Sequence, residues 1–250
     1  MNSRVYALAN QKGGVGKTTT AINMAACVAE AGTPVLLIDL DPQANATTGL
    51  GFRPEQLEAS TYDLLHGRSL DDVVLETDVP NLHLAPSHPD LAAAQVELSA
   101  HDTLLRDLLA GIGERFPYVF VDCPPSLGLL TVNALSAANR LIVPVQCEYY
   151  ALEGLAQLLQ SVELVRTRLN PRLGVTGVLL TMYDARTTLA RDVALEVREH
   201  FGGLVFDTVV PRSIRLAEAP SHGVPITRYD SRSAGADAYY RVALEVVERG

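Results

Sequence analysis

Val5-Tyr6-Ala7-Leu8-Ala9-Asn10-Gln11-Lys12-Gly13-Gly14-Val15-Gly16-Lys17-Thr18-Thr19 decides the architecture. A short apolar run reads as a buried strand, and a glycine-rich bend follows it. Residues 18–31 then place alanines and other apolar side chains at helical spacing until Gly32 stops them. Strand, glycine loop and helix in this order form a phosphate site. Glycines let consecutive backbone N–H groups turn inward around phosphate oxygens, and the helix N-terminus adds its dipole and free donors. The spacing places Lys17 to reach β- and γ-phosphates and Thr18 to ligate Mg²⁺ through its hydroxyl. Gln11 stands where the strict G-x-x-x-x-G-K-T pattern wants its first glycine. The dinucleotide fingerprint G-x-G-x-x-G is absent.

The chain has 250 residues and 20 basic side chains, of which only Lys12 and Lys17 are lysines. Wherever a positive charge merely keeps surface wet, this sequence uses arginine. Both lysines fall in the glycine loop, where a compact point charge fits and a planar guanidinium fork does not.

Outward from the loop, continuous apolar runs alternate with helical patterns. Strands are expected at 34–38, 81–85, 118–121, 141–145, 177–181 and 205–209, and helices at 91–98, 103–112, 152–169, 189–200 and 236–247. Uninterrupted apolar strands between helices mean a sheet covered on both faces. The expected fold is α/β: a three-layer P-loop NTPase fold with a mostly parallel central sheet and helices on both faces, formed as a single domain over residues 1–250.

Two further strands end in acids. Val35-Leu36-Leu37-Ile38-Asp39-Leu40-Asp41-Pro42-Gln43 carries two carboxylates two residues apart, which at a period of two share one side if the strand continues. A carboxylate beside a γ-phosphate holds an attacking water or organises the Mg²⁺ shell. Asp41 is therefore a candidate for catalysis and metal, and Asp39 for support of the Mg²⁺ or water network, against the plainer reading of either as a helix cap or loop acid. Tyr118-Val119-Phe120-Val121-Asp122-Cys123-Pro124-Pro125 is an apolar strand ending in Asp122, the Walker B arrangement, which contacts Mg²⁺ commonly through water.

Composition narrows the class. Hydrophobic residues make up 48% and charged residues 20%, an ordinary globular mixture. No stretch of about 18 apolar residues suggests a membrane span, and the N-terminus lacks a signal peptide's features. Three scattered cysteines, Cys27, Cys123 and Cys147, make no disulfide framework and fit a reducing cytoplasm. The net charge of −9 opposes nucleic acid as a partner, but the charge is uneven. Residues 1–165 hold 8 basic and 19 acidic side chains, whereas residues 166–250 hold 12 basic, all arginine, and 10 acidic. A locally positive face on an acidic protein is compatible with that distribution.

Lys12-Gly13-Gly14-Val15-Gly16-Lys17-Thr18-Thr19 is the deviant Walker A motif. With Asp39-Leu40-Asp41-Pro42-Gln43 and Val121-Asp122-Cys123-Pro124-Pro125 it resembles the ParA/MinD ATPases. Asn10-Gln11, Gln43-Ala44-Asn45-Ala46-Thr47, Met182-Tyr183-Asp184-Ala185-Arg186-Thr187 and the run from Pro211 through Arg212, Arg215 and Glu218 to Ser221 are similar to the ParA/Soj branch, so the likeness spans residues 5–229.

The resemblance implies an ATPase that takes ATP and Mg²⁺ and forms an ATP-dependent sandwich homodimer. Catalysis would involve Asp41, Lys12 and Lys17. Lys12 would be the signature lysine that reaches the partner subunit's phosphates, while Gly13, Gly14, Val15, Gly16, Lys17, Thr18 and Thr19 would hold the subunit's own nucleotide. Asp41 would orient the hydrolytic water, and Thr18, Asp41 and Asp122 would serve the metal. The segment around Pro211 to Glu218, Arg212 included, would frame the adenine; Met182 would also serve the nucleotide, and Asp39 would support the Mg²⁺ or water network. The resemblance further implies nonspecific binding of double-stranded DNA, for which Arg186, Arg212 and Arg215 are the candidates. Each of these is equally compatible with an intramolecular pair, for example with Asp184 or Glu218. A ParB/Spo0J-like centromere-bound partner would stimulate hydrolysis, in a cytoplasmic, nucleoid-associated segregation system.

Other members of the group fit less well. Residues 236–250 hold only Arg241 and Arg249 against Asp237, Glu245 and Glu248, poor material for a MinD-like membrane helix. Cys123 and Cys147 lack the setting of an iron–sulfur bridge. Four residues precede the first strand, so the helix-turn-helix domain of longer plasmid relatives is expected to be absent. Outside enzymes, a nucleotide-gated binding switch with negligible hydrolysis is the alternative. A measurable ATPase rate separates the two.

Overall fold

The computed structural model describes residues 3–98, 101–149 and 151–249. The chain begins with β1 (Arg4–Leu8), α1 (Lys17–Glu30) and β2 (Val35–Asp39). The short helices α2 (Asn45–Gly49), α3 (Thr61–Leu65) and α4 (Leu70–Val73) lead to β3 (Leu75–Glu76) and β4 (Leu82–Ala85). Then come α5 (Leu91–Glu97), α6 (Leu104–Leu108), β5 (Tyr118–Asp122), α7 (Leu129–Ala137), β6 (Arg140–Gln146), α8 (Ala151–Arg168), β7 (Gly174–Thr181) and α9 (Thr188–Phe201). The chain closes with α10 (Ile214–Glu218), α11 (Ile226–Tyr229) and α12 (Ala234–Arg249).

The sheet has seven strands in the order β3-β4-β2-β5-β1-β6-β7, parallel throughout except where β3 pairs antiparallel at the edge. Strand residues alternate between two cores, as a period of two requires. Val5, Ala7, Leu36, Ile38, Val119 and Val121 point into one, packed with α3 and α5–α9. Tyr6, Leu8, Val35, Leu37 and Phe120 point into the other, under α1 and α12. Burial on both faces explains why the strands read as unbroken apolar runs. The expected three layers are present.

Several elements differ from the sequence expectation: the short elements α2–α4, β3, α10 and α11 lie outside it, and the helix expected at 103–112 is shorter, Leu104–Leu108. Residues 205–209 do not form a regular strand. Val205 makes an isolated parallel bridge to Val178, and Phe206 N–H and Val210 N–H reach the carbonyls of Val178 and Leu180 at 3.0 and 2.8 Å. Between them the N–H groups of Asp207 and Thr208 turn to the Glu245 carboxylate of α12, each at 2.9 Å. A side chain far along the sequence takes the donors that a ladder would need. In addition, α7 was not expected. Its apolar residues lie all round, and it is buried between β5 and β6, so it lacks the one-sided period that marks a surface helix.

Parallel strands aligned in this way end together. The C-terminal ends of β1, β2 and β5 bring the loop after β1, the Asp41 turn and Asp122 to one crevice, where open α/β sheets bind ligands.

Candidate active site

The loop between β1 and α1 is built for close approach to an anion. Gly14 and Gly16 have φ of 73° and 86°, left-handed conformations that glycine alone adopts without strain. Neighbouring strands hold the loop. Asn10 donates from Nδ2 to the Pro144 carbonyl (2.7 Å) and accepts the Lys12 N–H at Oδ1 (3.0 Å). The Thr181 hydroxyl at the end of β7 donates to the Val15 carbonyl at 2.8 Å. Gly16 then caps α1, so free helix N–H groups face the crevice.

Lys17 is 6% exposed, and its Nζ donates to the Lys12 carbonyl at 3.3 Å. Burial lowers its pKa, while Asp122, Cys123 and Asp41 act in the opposite sense. An ammonium can donate three hydrogen bonds, so this one still has donors to offer a phosphate. Asp122 is fully buried, and neither carboxylate oxygen has a hydrogen-bond partner of normal geometry. Burial raises its pKa well above the usual carboxylate range, reinforced by the neighbouring Asp39 and Asp41; nearby Thr18 and Lys17 pull it down. A buried carboxylate left unsatisfied is costly. With the Thr18 hydroxyl at hand, its orphan oxygens fit a Mg²⁺ ion or that ion's water shell.

Asp41 lines the cleft and is 6% exposed, with Oδ1 accepting the Gln43 N–H at 3.0 Å. The cleft has a volume of about 440 Å³ and is walled by the glycine loop, Thr18, Thr19, Asp41, Gln43 and Pro125. A smaller cavity of about 200 Å³ adjoins it, sharing Gly16, Thr19 and Met182, and continues along Pro211, Arg212, Leu216 and Tyr239. The large pocket suits polyphosphate and the smaller one suits a base. Met182 lies between them with φ 50°, rare for a non-glycine residue, a strain that clusters at functional sites.

Not every expected residue lines these cavities. Asp39 and Asp122 are both fully buried, and neither is in the cleft wall. Asp39 accepts from the Thr47 N–H (2.9 Å), the Thr47 hydroxyl (2.8 Å) and the Asp41 N–H (3.1 Å). Glu218 also turns away from the base cavity, accepting from Arg215 at 3.1 Å and the Tyr229 hydroxyl at 3.0 Å. Lys12 Nζ lies outside its own cleft and pairs with Glu148 at 2.6 Å, both side chains about half exposed.

Two of the three candidate arginines, Arg186 and Arg215, pair with the acids that their sequence neighbourhood offered. Arg186 makes two bonds to Asp184, at 2.9 and 2.8 Å. Arg215 faces Glu218 and Asp230. Arg212 is exposed, lines the smaller cavity and has no salt bridge among the described residues. The structural roles of Asn10, Thr181 and Glu148 escaped the sequence reading because their partners lie far along the chain. Only the sheet register brings them together. No helix among the described residues is long and apolar enough to cross a membrane.

A family model described as an AAA domain matches residues 3–175. The chain is 49% identical over 251 residues to the sporulation initiation inhibitor protein Soj of Bacillus subtilis, covering 99% of each. It is 55% identical over 246 residues to the chromosome-partitioning ATPase Soj of Thermus thermophilus, covering 98% of this chain and 96% of the relative. Among solved structures, cobyrinic acid a,c-diamide synthase from Mycobacterium smegmatis with bound ADP and magnesium superposes with a TM-score of 0.87 at 38% identity, covering 98% of this chain and 94% of that one. Likeness of this depth over nearly the full length, with a deviant phosphate loop set against a buried Asp122, makes the chain a member of the ParA/Soj family of ATPases.

Proposed function

We propose that the chain is an ATP-hydrolysing partition switch. In this reading ATP and Mg²⁺ occupy the cleft, and two ATP-loaded copies close into a sandwich dimer. The dimer holds double-stranded DNA without regard to sequence, and a ParB/Spo0J-like partner stimulates hydrolysis and release at the nucleoid. The observation that carries the catalytic part is the unpartnered Asp122 carboxylate beside the buried Lys17 ammonium, with Lys17 and Asp41 both on the cleft wall.

Each residue has a distinct task. The turned-in amides of residues 13–16 and the Lys17 ammonium bind the β- and γ-phosphates. Thr18, Asp41 and Asp122 would hold Mg²⁺. When bound, the ion neutralises charge developing on the phosphate oxygens. Asp41 orients the attacking water, and it need not be a strong base, because phosphoryl transfer depends chiefly on position and electrostatics. Lys12 reaches the partner subunit's nucleotide. Its link to Glu148 joins two half-exposed side chains, and such pairs contribute about 0–1 kcal/mol, so its release is cheap.

The likeness to an amide synthase extends to nucleotide handling. Cys27, Cys123 and Cys147 are all buried, and burial pushes the thiols of Cys27 and Cys147 up to about 12 and about 11, so none is an activated nucleophile for nitrogen transfer.

The test is the Asp41→Ala variant. It is expected to bind ATP within about threefold of wild type and to dimerise with ATP but not ADP. Its turnover should be slower by roughly a hundredfold, the usual scale for losing a positioned catalytic group. Normal turnover in that variant removes the assigned role. A dimer that ignores nucleotide in light scattering removes the switch.

A further inference from the structure

Asp41 stands just past the end of β2, on a segment with no ladder partner for its own N–H and carbonyl. The fold supplies partners from side chains. The Asp41 N–H donates to Asp39 Oδ1 at 3.1 Å. Asp39 Oδ2 accepts both the backbone N–H and the hydroxyl of Thr47, in the first turn of α2. The Thr47 hydroxyl oxygen in turn accepts the Ser87 N–H at 2.8 Å. The Ser87 hydroxyl donates to the Asp41 carbonyl at 2.7 Å, beside the Ala44 N–H at 2.9 Å, and this closes a ring. Asp39, Thr47 and Ser87 are each fully buried. Thr61 ties the ring to the segment leaving β4: its hydroxyl donates to the Asp39 carbonyl at 2.9 Å and its N–H to the Pro86 carbonyl at 2.7 Å.

We propose that Ser87 and Thr47 are positioning residues for hydrolysis, holding the Asp41 backbone from both sides so that its carboxylate keeps one place on the cleft wall. The inference rests on the role assigned to Asp41. Neither side chain lines the cleft, so neither touches nucleotide. Their effect passes through Asp41 alone. A closed ring of buried bonds resists displacement at every member, because any shift leaves a buried donor or acceptor unpaired. Placement is what a water-orienting carboxylate needs: an error of about 1 Å at a reacting group costs on the order of a hundredfold in rate.

The experiment compares Ser87→Ala, Thr47→Val and Thr47→Ser with wild type in full-length protein. It measures ATP affinity, kcat, KM and Tm, and repeats Ser87→Ala in an Asp41→Ala background. Ser87→Ala and Thr47→Val should lower kcat about ten- to a hundredfold with ATP affinity and KM within about threefold. Thr47→Ser keeps the hydroxyl and should recover most of the rate. In the Asp41→Ala background, Ser87→Ala should change turnover no further, whereas a merely structural role would lower it again. If Asp41→Ala is slow while folded Ser87→Ala and Thr47→Val turn over normally, the positioning role is overturned and the Asp41 assignment stands. If Asp41→Ala itself turns over normally, both fall. Should Thr47→Val fail to fold, the kcat of Ser87→Ala decides alone, since the Ala44 N–H still satisfies the Asp41 carbonyl in that variant.

Discussion

The two lysines lie five positions apart and in opposite surroundings. Lys17 is buried against carboxylates, and Lys12 is half exposed on a glutamate. Residue type and spacing pointed to both, because a chain that otherwise uses only arginine keeps lysine where a point charge is required. The partner of Lys12 was invisible, since Glu148 is 136 residues away. Arg186 shows the reverse case, a partner two positions off and legible as an alternative from the start. Its guanidinium holds the Asp184 carboxyl down to about 2, chiefly through the side-chain hydrogen bonds. The unfolded value for aspartate is near 3.9. A depressed folded pKa means this pair's contribution to stability is present above about 3.9 and is lost as pH falls toward 2. In Arg186→Ala the Asp184 carboxyl should titrate at about 3 to 4 by carbon-detected NMR. A value still near 2 would show that the backbone N–H of residue 186 suffices.

The ordered elements were most legible where one physical cause dominates. Strands buried on both faces read as apolar runs, and α1 announced itself by its glycine loop and alanines. The segment at 205–209 misled because its composition is that of a strand while the hydrogen bonds along it are shared out. Phe206 and Val210 bond to β7, whereas Asp207 and Thr208 bond to Glu245 on α12. That carboxylate fastens to the last helix the segment that leads into the wall of the smaller cavity, because Asp207 and Thr208 precede Val210 and Pro211, which line it. Glu245→Ala strips acceptors from two backbone donors, one exposed and one half-buried, that water only partly replaces. The expected loss is about 1–2 kcal/mol of stability, a fall in Tm of roughly 2–8 °C for a chain of this size. Glu245→Gln retains one acceptor oxygen and should lose less. Scanning calorimetry reads both. An unchanged Tm in the alanine variant would mean that the segment is held by β7 alone.

At the scale of the whole molecule, the charge distribution would govern the proposed DNA binding. A net charge of −9 repels a polyanion, so the proposed binding would depend on arginines from the last third of the chain acting together. The fold leaves Arg212 exposed without a salt bridge among the described residues, but it gives Arg186 and Arg215 acidic partners. One subunit would therefore be a weak site, and joining two patches in the proposed ATP dimer would be the way to useful affinity. With no recognition helix evident in the sequence, the protein would grip phosphates, which position without reading bases. The acid partners make a sharper test than removing arginines alone. Asp184→Asn takes away the charge that Arg186 now faces while leaving the arginine in place, with its side chain 88% exposed. If DNA passes over this face, Asp184→Asn should raise the affinity of the ATP-bound protein, and Arg186→Ala should lower it. The slope of log affinity against log salt should change by about 0.9 for each phosphate whose charge is newly neutralised or no longer neutralised. Titrating both variants and wild type against one random-sequence duplex at several salt concentrations, with ATP and with ADP, gives all of these numbers. Opposite shifts seen only with ATP support a DNA face completed by dimerisation. Identical curves for the two variants and wild type would put the DNA on another surface.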